Sequence, residues 1–194
     1  LQTAADAMDD FSIETHPFTP VLPPHARVMM MGTFPPAAAK RCMAFHYPNF
    51  QNDMWRIYGL VFFNDAGHFQ VAGEKRFDAG KIRDFLMAHN IALCPTVRRA
   101  VRERGNASDK FLRIVEPVDL GAVLAQLPDC RWLFTTGGKA TETLLSLLEP
   151  APPMPPVNQA VAFDYHGRHL QLCRLPSSSR AYPLTLAAKA AAYR

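Results

Sequence analysis

Hydrophobic positions in this 194-residue chain change period along its length, and the changes mark out alternating strands and helices. Arg27-Val28-Met29-Met30-Met31 is an unbroken apolar run ending at Gly32, the pattern of a strand buried on both faces of a parallel sheet. Helical spacing follows over Asp53 to Phe63 and over Asp78 to His89, and Asn90-Ile91-Ala92-Leu93-Cys94 then reads as a second buried strand. Leu120 to Gln126 predicts a helix and Cys130 to Thr135 a third strand, after which Gly137-Gly138 opens a helix over Lys139 to Leu148. Val161 to Tyr165 and His169 to Leu175 alternate around His166-Gly167 as a hairpin, and a last helix is expected from Leu184 to Tyr193.

Strands that alternate with helices imply βαβ units, right-handed crossovers and a parallel sheet covered on both faces. The expected fold class is therefore α/β, and the length fits one domain spanning 1–194. Residues 1–13 are expected to be a flexible or peripheral lead-in. In such sheets ligands bind at the carboxyl ends of the strands, so the loops after Met31 and after Leu175 hold the candidate chemistry. Seventeen prolines punctuate the chain. The stretch from Pro150 to Pro156 is a stiff connector in which neither a helix nor a central strand can run.

Charge adds one feature to this picture. The chain has 21 Lys and Arg against 17 Asp and Glu, but the first 26 residues hold four of the acids and none of the bases, which leaves a body of 21 against 13. A basic body suits phosphate contact without requiring it. Its densest run is Arg98, Arg99, Arg102, Arg104, Lys110 and Arg113, either a DNA-backbone surface or a solvated helix face. Four scattered cysteines give neither zinc spacing nor a disulfide framework. The seven histidines show no metal spacing, so no metal is expected. With no leader pattern and no apolar stretch long enough to span a bilayer, a cytoplasmic, nucleoid-associated location is expected. A nucleotide-triphosphate loop ending at Gly138-Lys139 would need a glycine where Leu133 stands.

The loop after the first strand reads Gly32-Thr33-Phe34-Pro35-Pro36, and Phe45-His46-Tyr47-Pro48-Asn49-Phe50-Gln51-Asn52-Asp53-Met54-Trp55 follows. Glycine at a strand end permits close approach of a ligand to the backbone. Aromatic rings beside carboxamides can sandwich a planar base and read its edge, or simply form an aromatic cluster beneath a long loop.

These motifs, with Leu175-Pro176-Ser177-Ser178-Ser179 and the helix trailing to Tyr193-Arg194, resemble the uracil-DNA glycosylase superfamily in order, spacing and strand-end placement. The mismatch-specific uracil and hypoxanthine-DNA glycosylase branches are the most similar. The likeness extends from Glu14 to Arg194 and includes Gly105-Asn106-Ala107-Ser108-Asp109 and Thr136-Gly137-Gly138-Lys139-Ala140. It implies a three-layer α/β/α sandwich with a central four-stranded parallel sheet, and a monofunctional, cofactor-free DNA glycosylase, monomeric, that flips a deaminated base out of the duplex and hydrolyses its N-glycosidic bond.

By the same resemblance Phe45 stacks on the base, with Tyr47 as the alternative, and Gly32 and Thr33 offer donors to the base or the water. Phe34 departs from the polar residue that many relatives use to hold the water. In the hypoxanthine branch that role falls three residues before the tryptophan, on Asn52 here. Asp53 competes with it, since a carboxylate could hold water and stabilise a cationic sugar; it could equally be a helix N-terminal residue favoured by the macrodipole. The stretch from Pro48 to Trp55 is two residues longer than in the mismatch-specific branch. Ser177 would contact the base and Ser178 and Ser179 the phosphates, with Arg180 and Ala181 at the tip that enters the minor groove; a capping turn is the plainer account of three serines. Lys139 and Arg98 are expected to hold DNA phosphates. The expected partner is DNA carrying uracil first or hypoxanthine second. A DNA- or damaged-base-binding protein that has lost hydrolysis and an enzyme acting on small nucleosides are the other readings.

Overall fold

The apolar runs that read as buried strands pair side by side. The computed structural model describes residues 12–103 and 112–194. β1 is Ile13–Thr15, β2 Val28–Met31, α1 Met54–Phe63, α2 Ala79–Ala88 and β3 Ile91–Leu93. β4 is Val97–Arg102, β5 Leu112–Pro117, α3 Leu120–Ala125, β6 Trp132–Thr136 and α4 Gly138–Ser146. β7, Ala160–Tyr165, and β8, Arg168–Leu175, precede α5, Leu186–Tyr193. The main sheet has the order β3-β2-β6-β8-β7. Four of its strands run parallel, with Met29 opposite Ala92 and Leu133, and Leu133 opposite Leu172. β7, the first arm of the hairpin, adds a fifth strand antiparallel to β8 at the edge.

Alternation along the strands divides the core into two layers. Met29, Met31, Leu133, Leu170 and Leu172 pack beneath α3 and α4 with Leu120, Leu124 and Leu144. Met30 and Leu175 face the other way and meet Met54, Trp55 and Tyr58 of α1 and Ile82, Phe85 and Leu86 of α2, with Tyr193 of α5 against them. The result is an α/β/α sandwich of three layers. Polar side chains start the helices: Asp78 accepts from Lys81 N, Asp119 from Ala122 N and Thr185 from Ala188 N, each satisfying an otherwise orphan donor.

The described part of the basic run is not a helix face, and it is only in part an open surface: Arg98 and Arg113 are exposed, whereas Arg102 is buried. That part is β4 and β5, which make a separate antiparallel sheet in the order β1-β4-β5; Arg104 and Lys110, like Gly105 to Asp109, lie outside the described residues. Arg102 is buried, its Nε 2.7 Å from the Glu14 carboxylate and its Nη2 donating to the Pro35 carbonyl. Arg99 pairs with Glu116, and Arg113 lies 4.0 Å from Glu103. Ile13, the last residue of the lead-in, pairs with Val101 at the edge of this sheet and stays exposed; residues 1–11 lie outside the described residues.

Gly59 in α1 is buried where the loop after the helix folds back, and a Cβ there would overlap the Asp65 carbonyl oxygen. Gly59→Ala is expected to lower stability by about 1–3 kcal/mol through overpacking, read as a lower urea midpoint with unchanged slope.

Candidate functional site

The chain passes from β2 outward to β3 and then crosses to β6 on the other side of β2, so the sheet reverses direction between β2 and β6. Loops leaving adjacent strands at such a point diverge and leave a crevice. A cleft of about 550 Å³ lies there, lined by Gly32 to Pro36 after β2, Pro95 after β3, Thr136 at the end of β6 and Ser177 to Ser179 after β8. His46, Tyr47, Asn49 and Asn52 complete it from the loop before α1, and His16 from the segment after β1. The volume falls within the range of small-ligand pockets.

Close packing sets the floor. A Cβ on Gly32 would overlap the Tyr47 hydroxyl, which makes a 3.0 Å hydrogen bond with Thr136 Oγ1. Glycine at position 32 therefore lets the phenol lie against the strand end. Tyr47 itself has φ 51°, a left-handed backbone that turns its side chain inward from the loop. Gly137, at φ 97°, opens α4, and a Cβ there would meet Ser177 at 3.4 Å, so the β6 and β8 loops also touch through glycine.

The two motif loops are tied together by charge. Asp53 stands at the N-terminus of α1 with its side chain 6 % exposed. Its Oδ2 accepts from Lys189 Nζ at 3.0 Å and its Oδ1 from Arg180 Nε at 3.2 Å. Lys189, fully buried on α5, also donates to the Ser179 carbonyl at 2.9 Å, and Asp53 N donates to Ser178 O at 2.9 Å. Tyr193, one turn beyond Lys189 on the same helix face, donates to Pro176 O at 2.7 Å. Asp53 is thus a clamp on the serine loop and does not line the cleft.

Asn52 does line it. Its Oδ1 accepts from Met54 N at 2.9 Å, a local turn that fixes the carboxamide and caps α1. One lone pair of that oxygen and both amide N–H groups remain, and the oxygen is the fixed part of the group, the reverse of an amide-anchored carboxamide. Arg56 steadies the same loop by donating to Phe50 O at 2.7 Å and Asn52 O at 3.0 Å.

Other candidate residues are placed differently. Phe45 is 1 % exposed and packs on Trp55 and His46 in the core, so the ring expected to stack on a base is shielded from the cleft. Phe34 lines the cleft and joins Val97, Ala100 and Leu112 of the small sheet. Thr33 is at the cleft, as are Ser177, Ser178 and Ser179; Ser178 is buried in the cleft wall, and Ser177 Oγ accepts from Ser179 N. Ala181 reaches the rim, while Arg180 folds back on Asp53 instead of extending. Lys139, in the first turn of α4, and exposed Arg98, on β4, are not among the lining residues.

His16 and His46 also line the cleft, although neither is a site candidate on sequence grounds. Their rings lie 5.4 Å apart. Burial and then the neighbouring His46 push His16 down to about 3, and burial lowers His46 to about 4, so both are neutral at pH 7. His16 follows β1, which nothing in the apolar pattern announces as a strand. His46 hides within the aromatic loop.

Two predictions follow from these contacts. Lys189→Met leaves buried Asp53 with only Arg180 and, at 3.9 Å, Arg56, and is expected to cost about 3 kcal/mol in urea unfolding, with Asp53→Asn/Lys189→Met losing less than the two single losses together. The unfolded histidines take up protons below about pH 6.5, whereas the folded rings resist until about 4 and 3. Their contribution is therefore complete above pH 6.5 and is lost as pH falls; moving from pH 7 to 5 is expected to cost about 1–2 kcal/mol per ring, and His16→Phe removes its share of that slope.

In comparisons with known proteins, no family model and no curated protein sequence matches this chain. A solved structure from Methanosarcina acetivorans, described as a "putative uracil DNA glycosylase", matches with a TM-score of 0.64 at 21 % identity, over 94 % of this chain and 98 % of that one. The chain is similar to that protein in architecture, which gives it a uracil-DNA-glycosylase-like fold.

Proposed function

We propose that the chain is a monofunctional DNA glycosylase that hydrolyses the N-glycosidic bond of deaminated bases in DNA, uracil first and hypoxanthine second. One observation carries this reading. Two loops more than a hundred residues apart, Gly32 to Asn52 and Ser177 to Ala181, wall a single cleft at the switch point of the sheet. The fold shared with the Methanosarcina protein points the same way.

Glycoside hydrolysis of this kind places positive charge on the sugar and negative charge on the departing base, so the enzyme needs a held water and donors toward the base. Asn52 holds the water with the free lone pair of Oδ1 or meets the base with its amide. Tyr47 and Phe34 supply the ring surfaces that Phe45 cannot. Water adds to the anomeric carbon as the C–N bond breaks; the bond's electron pair leaves with the base, which takes up a proton. Asp53 acts indirectly, by holding Arg180 and the serine loop. On encounter with duplex, Arg180 exchanges Asp53 for DNA, where its planar guanidinium fills the space left by the extruded base.

A second reading has its own support. Phe34 cannot orient water, and Asn52 Oδ1 is partly committed to Met54 N, as would suit a damaged-base-binding protein without hydrolysis.

A panel of duplexes containing uracil, hypoxanthine, xanthine or mismatched thymine distinguishes the two. The glycosylase reading expects an abasic product from uracil DNA, with Asn52→Ala slowing single-turnover release by about 10²–10³-fold. Tight lesion binding with no release by wild type at high enzyme excess would establish the second reading. Arg180→Ala is expected to weaken duplex binding and to reduce the salt slope by about one charge.

A further inference from the structure

His16 and His46 both line the cleft, and the reaction described above makes no use of either. They sit in an aromatic cluster in which His16 meets Phe18 and Phe34 edge-on, and His46 meets Phe18 and Phe45 edge-on. Each ring has one nitrogen committed to backbone. His16 Nδ1 accepts from Phe18 N at 3.2 Å, and His46 Nε2 donates to Thr19 O at 2.8 Å. A neutral imidazole carries its one proton on the nitrogen that is not accepting. His16 is left with an N–H donor at Nε2 and His46 with a bare acceptor at Nδ1. Neither of these nitrogens has a protein partner among the described residues. Burial keeps both rings uncharged, so the donor and acceptor senses persist at neutral pH.

We propose that His16 and His46 read the lactam edge of the extruded base, His16 Nε2–H donating to the ring carbonyl and His46 Nδ1 accepting from the adjacent ring N–H. This rests on the glycosylase reading and names the residues that select its substrate. Deamination turns an amino group beside a bare ring nitrogen into a carbonyl beside an N–H. Cytosine becomes uracil and adenine becomes hypoxanthine by that one change, and the donor and acceptor along the edge trade places. A fixed donor beside a fixed acceptor accepts both products and leaves the parent bases with two mismatched pairs, the kind of mismatch by which polar sites discriminate strongly. The same donor strengthens as negative charge builds on the leaving base. Thymine and guanine carry the same edge, so their exclusion falls to the shape of the cleft where Tyr47 closes over Gly32.

Single-turnover release from uracil and hypoxanthine duplexes by wild type, His16→Phe and His16→Gln tests the proposal, together with lesion-free duplex affinity and a 3-methyluracil duplex that lacks the ring N–H. His16→Phe preserves the ring packing and removes the donor. It is expected to slow release of both bases about 10²-fold while lesion-free affinity stays within threefold. His16→Gln, whose amide can donate, is expected to recover at least part of that loss, and wild type is expected to spare 3-methyluracil. A loss below tenfold in His16→Phe, an equal loss in lesion-free binding, or release of 3-methyluracil at the uracil rate overturns the proposal and leaves the glycosylase reading standing. Should His16→Phe not fold, His16→Gln and the 3-methyluracil duplex decide by the same criteria. No release of any base by wild type overturns the glycosylase reading and the proposal with it.

Discussion

A carboxylate and an ammonium group removed from water hold this site together. Asp53 and Lys189 are 136 residues apart in sequence and 3.0 Å apart in space. Burying either alone would be strongly unfavourable, and burying them together is tolerable only while their hydrogen bonds are complete. That condition fixes more than the pair. Lys189 needs the Ser179 carbonyl and the Asp53 backbone N–H needs Ser178 O, whereas Arg180, more than half exposed, is a contact that can be exchanged. The start of α1, the face of α5 and the serine loop can therefore take only one mutual arrangement, and it is the arrangement that closes the cleft between Asn52 and Ser177.

The rest of the molecule supports that geometry from outside. Four parallel strands end on one edge, and the reversal between β2 and β6 opens the crevice there. The small antiparallel sheet covers its flank, with Arg102 pinning the Pro35 carbonyl and Phe34 packed on Val97, Ala100 and Leu112. Charge that looks like a DNA-binding run in the sequence is thus partly internal buttressing. Lining the cleft itself are neutral groups, including two histidines, two tyrosines, threonines and carboxamides. Neutral donors and acceptors suit recognition of an uncharged base better than a cluster of cations would.

Much of the scaffold is legible in the sequence because local chemistry specifies it. Met29, Met30 and Met31 form a run too apolar for anything but a strand buried on both faces, and Asp78 and Asp119 mark helix starts to within a residue. Elements that depend on distant partners are not legible in this way. β4 reads as a basic run because register shifts around Arg99 break its alternation, and β1 is three residues that acquire strand character only against β4. The site divides along the same line. Gly32, Asn52 and Ser177 stand beside strand and helix ends, where sequence spacing places them. Phe45 and Asp53 carry the right chemistry, but the core and Lys189 claim them, and that outcome is set by residues the local pattern does not contain. His16 escapes notice for the converse reason, being brought to the cleft by a strand with no signature of its own.

The central claim is that the two strand-end loops form one pocket for an extruded base. A crystal structure with a duplex carrying a non-cleavable 2′-fluoro-deoxyuridine tests it most directly. The account predicts the uracil outside the helix, seated over Gly32 and Tyr47 with its edge within hydrogen-bond distance of His16 and His46, and Arg180 released from Asp53 into the duplex. A uracil still stacked in its duplex, or DNA bound at the opposite edge of the sheet with the cleft empty, would contradict it.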